Sequence, residues 1–360
     1  MEKITVEKIT AENFITEEKI IKDFIDGEKA NNNKVNKVYI SSLIDSKFSG
    51  FDKQTRSNLK ACIEAHCPNL DLLVNTKDVW ARDYMPIQLT KNVFLGYTYK
   101  PDYLCDKDQD CVTNWQLHNV HPQNQKYDDF EVVQMPLILD GGNVVKAVLD
   151  GKPCMIMCDK VLTENNVTEK EFRDWWNQWW NKNFDGTEML LVLLPWEGKK
   201  DNPIGHADGM VRYIGNGHVL MTNYLDFDKK YEDDFGEKLE NALKTVKFKE
   251  KNLQFEVEKL EFWDKFYGND IFKILFDESW CYINYLQVDK TILVPRLGYS
   301  KLDKEARRQI KDVFKNAGLQ VEVKTIECNM TPIVKDMNDK MNSGGALNCL
   351  TWTIQTDKQD

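Results

Sequence analysis

Nucleophilic catalysis by a thiol needs an accessible cysteine, a base and groups that hold the electrophile, and this chain carries candidates for all three. Cys349 follows a Gly-Gly pair in Asn342-Ser-Gly-Gly-Ala-Leu-Asn-Cys-Leu-Thr351, where the backbone can approach a ligand closely. Three polar clusters lie upstream: Trp80-Ala-Arg-Asp83, Asp140-Gly-Gly-Asn143 and Gly205-His-Ala-Asp-Gly209. Each interrupts an apolar, strand-like run with Gly, Asp or His, so charged groups stand where hydrophobic ones would cost less. His206 and Asp208 are two apart on what reads as a strand, which would turn both side chains to one face. That spacing suits a base beside a carboxylate, and equally two ligands of a zinc ion. Asn284, within Tyr282-Ile-Asn-Tyr-Leu286, is a polar residue in an apolar run and needs partners. Blander readings compete: Cys349 as a small core residue, Asp83 as the partner of Arg82, Asn143 as a tolerant position beside Gly141-Gly142.

The elements that must position these groups repeat along the chain. Three times an apolar run, a tight turn and a second apolar run precede a charged amphipathic helix and one more strand. The turns are Asp150-Gly151, Asn216-Gly217 and Asp289-Lys290, of which the first two favour two-residue hairpins, and they recur roughly every 70 residues, the mark of a repeated supersecondary unit. The first unit runs from Val144 to Met157, with a helix over Thr168–Asn183 and a strand at Met189–Trp196. The second takes in Met210–Tyr224, a helix around Lys229–Lys247 and the strand Leu253–Leu260. The third takes in Tyr282–Leu297, a helix around Leu302–Ala317 and the strand Val321–Ile326. A fourth unit joins Met85–Leu89 and Val93–Tyr99 to Glu131–Leu139, with a polar stretch, Lys100–Asp129, in place of its helix. The fifth needs both ends of the chain: Cys349–Ile354 pairs with Val38–Leu43, followed by a helix near Asp52–Ala65 and the strand Leu70–Val74. Five ββαβ units in one domain over residues 1–360, closed by the terminal strands as in propellers, would bring the polar clusters to one axis.

Composition bounds the function. The 360 residues are 42% hydrophobic, enough for a large core, and 48 basic against 58 acidic residues leave a net charge of −10. No Lys/Arg block stands out, which argues against a nucleic-acid groove and agrees with a cationic small-molecule partner. No apolar run is long enough for a signal peptide or a membrane span, so the expected location is the cytoplasm, away from membranes. Nine cysteines without CxxC spacing fit reduced thiols. Trp175, Trp176, Trp179 and Trp180 share one side of a helix and read as packing.

Taken together, Trp-x-Arg-Asp-x-x-Pro, the Asp-Gly-Gly-Asn turn, Gly-His-x-Asp-Gly, Tyr-Ile-Asn and the terminal Gly-Gly-x-x-x-Cys-x-Thr resemble, in this order, the agmatine deiminase and bacterial peptidylarginine deiminase family. The resemblance spans Trp80 to Thr351 and implies the pentein fold, a five-unit α/β propeller. It also implies a hydrolase without a cofactor or metal. Asp83 and Asp208 would clamp a guanidinium, Cys349 would attack its central carbon, and His206 would serve as acid and then base. Trp80, Asp140, Asn143 and Asn284 would line the substrate. The implied reaction converts agmatine to N-carbamoylputrescine and ammonia, with an arginyl peptide as the alternative substrate. An amidinotransferase, a metal-dependent hydrolase and a non-catalytic pentein binding module are further alternatives. Three departures bear on substrate choice and geometry. Asn348 stands where the family usually has His, and as a strand neighbour of Cys349 it should face away from the substrate. Asp140 replaces a usual Glu, and Phe94-Leu-Gly-Tyr-Thr-Tyr-Lys-Pro101 replaces an aromatic, Gly-rich segment.

Overall fold

Left-handed backbone at Asp150 and Gly151 (φ 50° and 68°) and at Asn216 and Gly217 (φ 50° and 79°) turns the chain through the two expected hairpins. Asp289 (φ 53°) begins the third, and short polar residues and Gly are the ones that bear this conformation at least cost. A computed structural model describes residues 6–30, 34–44, 53–101, 121–122, 130–196, 205–222, 234–261, 279–334 and 344–357. Most of the polar stretch at 100–129 lies outside them.

Each hairpin is extended by a parallel strand that returns after a crossover. Val145–Leu149 pairs antiparallel with Lys152–Cys158, which pairs parallel with Leu190–Leu194. Val211–Gly215, His218–Thr222 and Glu256–Leu260 repeat the pattern, as do Leu286–Val288, Thr291–Val294 and Glu322–Thr325. Ile87–Gln88, Val93–Thr98 and Glu131–Ile138 form the fourth sheet. In the fifth, Thr351–Asp357 from the C-terminus pairs antiparallel with Lys34–Ser41, which pairs parallel with Leu70–Val74. The strand pattern within units thus follows the sequence repeat. The result is a mixed α/β fold of small, separate sheets, and their hydrogen bonding does not close them into one ring.

The helix Glu169–Asn183 shows how local sequence and packing cooperate. Thr168 Oγ1 accepts from the Glu171 amide at 3.3 Å while the Glu171 carboxylate accepts from the Thr168 amide at 2.9 Å, a capping box that satisfies two donors at the helix start. Phe172, Trp176 and Trp180, spaced by four, are buried, and Trp176 Nε1 donates to the Met189 carbonyl at 3.0 Å. Trp175 and Trp179 flank them half-buried and stack on one another. The tetrad is packing, as its spacing suggests.

Two features were not visible in the repeat. A helix, Glu17–Ala30, precedes the first strand, and Gln287 Nε2 donates to the Glu17 carbonyl at 3.0 Å. Val246–Phe248 and Lys251–Leu253 form an extra hairpin. Among the described residues no helix is long and apolar enough to cross a membrane.

Candidate active site

Five short helical turns, and not the strands themselves, carry the polar clusters. Ala81–Tyr84, Gly141–Asn143, Ala207–Gly209, Ser279–Tyr282 and Leu347–Leu350 each immediately precede the first strand of a sheet or lie within a few residues of it. This corrects the reading of His206 and Asp208 as neighbours on a strand. His206 has extended backbone at the entry to a 3-10 turn, and Asp208 lies inside that turn. A turn exposes side chains and backbone amides toward a common point, whereas a strand would send alternate residues to opposite faces.

Buried amides staple the turns together. Asn143 accepts from the amides of Cys158 at 2.7 Å and Ala207 at 3.2 Å and donates to the Cys158 carbonyl at 3.1 Å. Asn143 therefore fixes the position of the His206 turn, and both its polar atoms already have protein partners. Asn284 Oδ1 accepts from the amides of Asn348 (3.1 Å) and Cys349 (3.3 Å) and lies 3.4 Å from Cys349 Sγ. Leaving either amide unpaired in the core would cost about 1–3 kcal/mol per group, which explains why polar residues are held there. Trp80 is buried against Gly345, where any side chain would collide with its indole. The Gly-Gly pair before Cys349 thus admits an aromatic ring.

Three of the polar side chains converge on Gly142. A Cβ at that position would lie 2.6 Å from Asp83 Oδ1, 2.9 Å from His206 Nδ1 and 3.3 Å from Asp208 Oδ1. Asp83 Oδ1 accepts from the Gly142 amide at 2.9 Å and stands 3.6 Å from His206 Nδ1. The other imidazole nitrogen is 2.8 Å from Asp140 Oδ2, which also accepts from Lys160 Nζ at 2.9 Å. Asp140, expected at the substrate, is thus engaged with His206 and Lys160. Asp208 Oδ2 lies 3.8 Å from Cys349 Sγ, and Asp208 Oδ1 is buried without a hydrogen-bond partner.

Asn348 corrects a second expectation. Its Nδ2 donates to Asp208 Oδ2 at 2.6 Å, so it faces the site that a strand geometry would have turned it from. The short helix Leu347–Leu350 is the cause. Arg82 and Lys160 were missed as contributors. Arg82 Nε reaches the Asn348 carbonyl at 3.4 Å, and its place in Trp80-Ala-Arg-Asp83 was the available signal; Lys160 had none.

Charge is arranged so that the resting thiol is protonated and the imidazole is charged. Burial, Asp208 and Asp83 push the Cys349 thiol well above its ordinary value, opposed by the Ala346 amide and Asn284. Burial alone would lower His206, but the Asp83 and Asp140 carboxylates outweigh it and raise the imidazole to about 9. Asp83 is raised to about 7 by burial, with His206 opposing and Asp140 and Asp208 adding to the rise. Burial would also raise Asp140, yet Lys160 and His206 hold it well below the carboxylate range. Two carboxylates near a buried thiol, with one carboxylate oxygen unpaired, form a site that a planar cation would complete.

The chain matches the Porphyromonas-type peptidyl-arginine deiminase family over residues 46–354. It belongs to that family. Among solved structures, C. jejuni agmatine deiminase aligns with 89% of this chain and 93% of its own, at 14% identity and a TM-score of 0.56. Enterococcus faecalis agmatine deiminase aligns over the same shares at 14% identity and a TM-score of 0.57. At such identity the likeness is one of fold, that of the pentein deiminases. No curated protein sequence matches the chain.

The tightness at Gly142 gives this family member a sharp test. Gly142→Ala should lower kcat/KM by roughly 10- to 100-fold, because the methyl must displace Asp83 or His206 by a fraction of an ångström from the reacting geometry. The melting temperature should fall by roughly 1–4 °C from the overpacking, with the fold kept by circular dichroism, and activity within twofold of wild type would show that the reaction does not use this convergence.

Proposed function

We propose that this chain is a guanidine deiminase working through a Cys349 thiouronium intermediate without a cofactor, with agmatine as the leading substrate. The observation that carries the reading is the meeting of Asp83, His206 and Asp208 at Gly142, beside the Cys349 thiol. A guanidinium placed between Asp83 and Asp208 pairs its N–H groups with the carboxylates, Asp208 Oδ1 included. Its charge offsets the two carboxylates that hold the thiol protonated, so substrate binding favours loss of the thiol proton. The thiolate attacks the central carbon, and His206, charged at neutral pH, donates a proton to the departing amino group, which leaves as ammonia. His206, now neutral, accepts a proton from water as that water adds to the thiouronium carbon. Collapse breaks the C–S bond and returns Cys349 as thiolate, while the added hydroxyl gives its proton to solvent as the C=O of the ureido product forms. The propeller arrangement of the five units about this site belongs to the same proposal.

Substrate charge supports the choice. A net charge of −10 and two clamp carboxylates disfavour free arginine, whose carboxylate would enter a negative field. Agmatine presents a second cation instead, and a peptide-bound arginine presents no carboxylate. Asp140 Oδ2 is paired with His206 and Lys160, so Asp140 could meet agmatine's amine through its other oxygen, and another acid or an aromatic ring would serve as well. The test measures ammonia and ureido product and compares kcat/KM for agmatine, an amidated arginyl peptide and free arginine at matched ionic strength. Agmatine should lead and free arginine trail; free arginine in first place would falsify the charge argument. A faster peptide keeps the mechanism and moves the substrate assignment to peptidylarginine. Amidino transfer to an added amine, without ammonia release, would replace hydrolysis by transfer.

A further inference from the structure

Next to the thiol site lies a polar cavity of about 80 Å³. Asp208, Asn348 and Arg82, which reach the thiol site, also line this cavity. Thr16, Glu17 and Ile20 at the start of the helix Glu17–Ala30 line it too, with Asn36, Lys146, Arg212 and Gln287.

The cavity holds more positive than negative charge. Among the described residues, Arg82, Lys146 and Arg212 meet two carboxylates there, Glu17 and Asp208. Glu17 is spent on Arg212 and on Tyr285 Oη, 3.1 Å away, and Asp208 Oδ2 is spent on the Asn348 amide. Burial lowers the proton affinity of Arg82, with Arg212 the next cause, and burial with Arg82 brings Lys146 down to about 7. Those directions report cations that are desolvated and repel one another.

Unpaired donors point the same way. Arg212 is 3% exposed and its guanidinium lies 4.4 Å over the Tyr285 ring, yet its Nε has no partner. Asn36, 1% exposed, leaves Nδ2 unpaired, and Thr353 Oγ1 is unpaired as well. All three residues line this cavity. The unpaired acceptors Asn36 Oδ1, Gln287 Oε1 and Asp208 Oδ1 suit accompanying water standing between them and the ion, and the volume holds an ion with one or two waters at about 30 Å³ each. The first turn of the 14-residue helix Glu17–Ala30 adds the positive end of its dipole.

We propose that this cavity binds one small monovalent anion, a halide or an oxyanion of nitrate or formate size, between Arg82, Lys146 and Arg212. A single negative charge balances the surplus of one, and anions as large as gluconate do not fit. Because Arg82 also acts on Cys349 through its charge, an anion at Arg82 weakens the positive potential at the thiol and makes ionisation of the free enzyme harder.

Melting of the whole chain at pH 6, with chloride replacing gluconate at constant ionic strength, tests the site. Saturable stabilisation is expected, roughly 2 °C at ten times Kd, and Lys146→Met should lose most of it. Crystals grown in bromide should show anomalous density against Arg212 Nε, a readout that does not depend on the variant folding. Equal melting in the two salts overturns the proposal. So does a cavity holding water alone in bromide, whatever the melting shift.

Discussion

With Cys349 as the proposed nucleophile, its replacement by Ala should remove turnover, a loss on the order of 10⁴-fold or more in kcat, because the covalent route would disappear and only binding and electrostatics would remain. The substitution deletes one sulfur beside Asn284 and Asp208, so melting and the circular dichroism spectrum should stay close to wild type. Substrate binding should persist, since the clamp carboxylates are untouched. Mass spectrometry of the wild-type protein quenched during turnover should find an amidino adduct on Cys349. A Cys349→Ser variant that keeps most of the activity would remove the thiol from the mechanism. The resting thiol is held well above its ordinary pKa, so iodoacetamide should react slowly with the free enzyme at pH 7.

His206→Gln should lower kcat by roughly 10²- to 10⁴-fold, the usual range for a positioned acid and base. Its signature lies in the pH profile. Asp83, raised to about 7, must lose its proton to clamp a cation, so wild-type kcat/KM should climb as pH rises through about 7. His206, raised to about 9, must keep its proton to protonate the leaving group, so activity should fall as pH rises through about 9. Gln cannot titrate, and the alkaline limb should vanish from the residual activity of the variant. Retention of that limb in His206→Gln would assign it to another group. Asp140→Asn offers a check on cause: with one of its two carboxylates gone, His206 should titrate at lower pH and the limb should move down.

Much of this protein is set by local chemistry that a single sequence displays. Asp150-Gly151 and Asn216-Gly217 favour left-handed turns on local grounds, so the hairpins and the repeat were legible, as was the packing role of Trp176 and Trp180. Cys349, His206, Asp83 and Asp208 could be named because polar residues in apolar runs need partners. Their geometry depended on the tertiary structure. Periodicity cannot separate a one-turn helix from the end of a strand over three or four residues. Hence Asn348 was turned away from Asp208, and His206 and Asp208 were put on one strand face. Asn143 and Asn284 bond to backbone 15 to 65 residues distant, contacts no local pattern encodes. Lys160, on an ordinary helical turn, reaches Asp140, 20 residues earlier, only in the folded chain. Only the fold gathers Arg82, Lys146 and Arg212, 64 and 66 residues apart in turn, around one cavity. Side-chain identity is local, whereas shared desolvation and charge coupling exist only after distant segments meet.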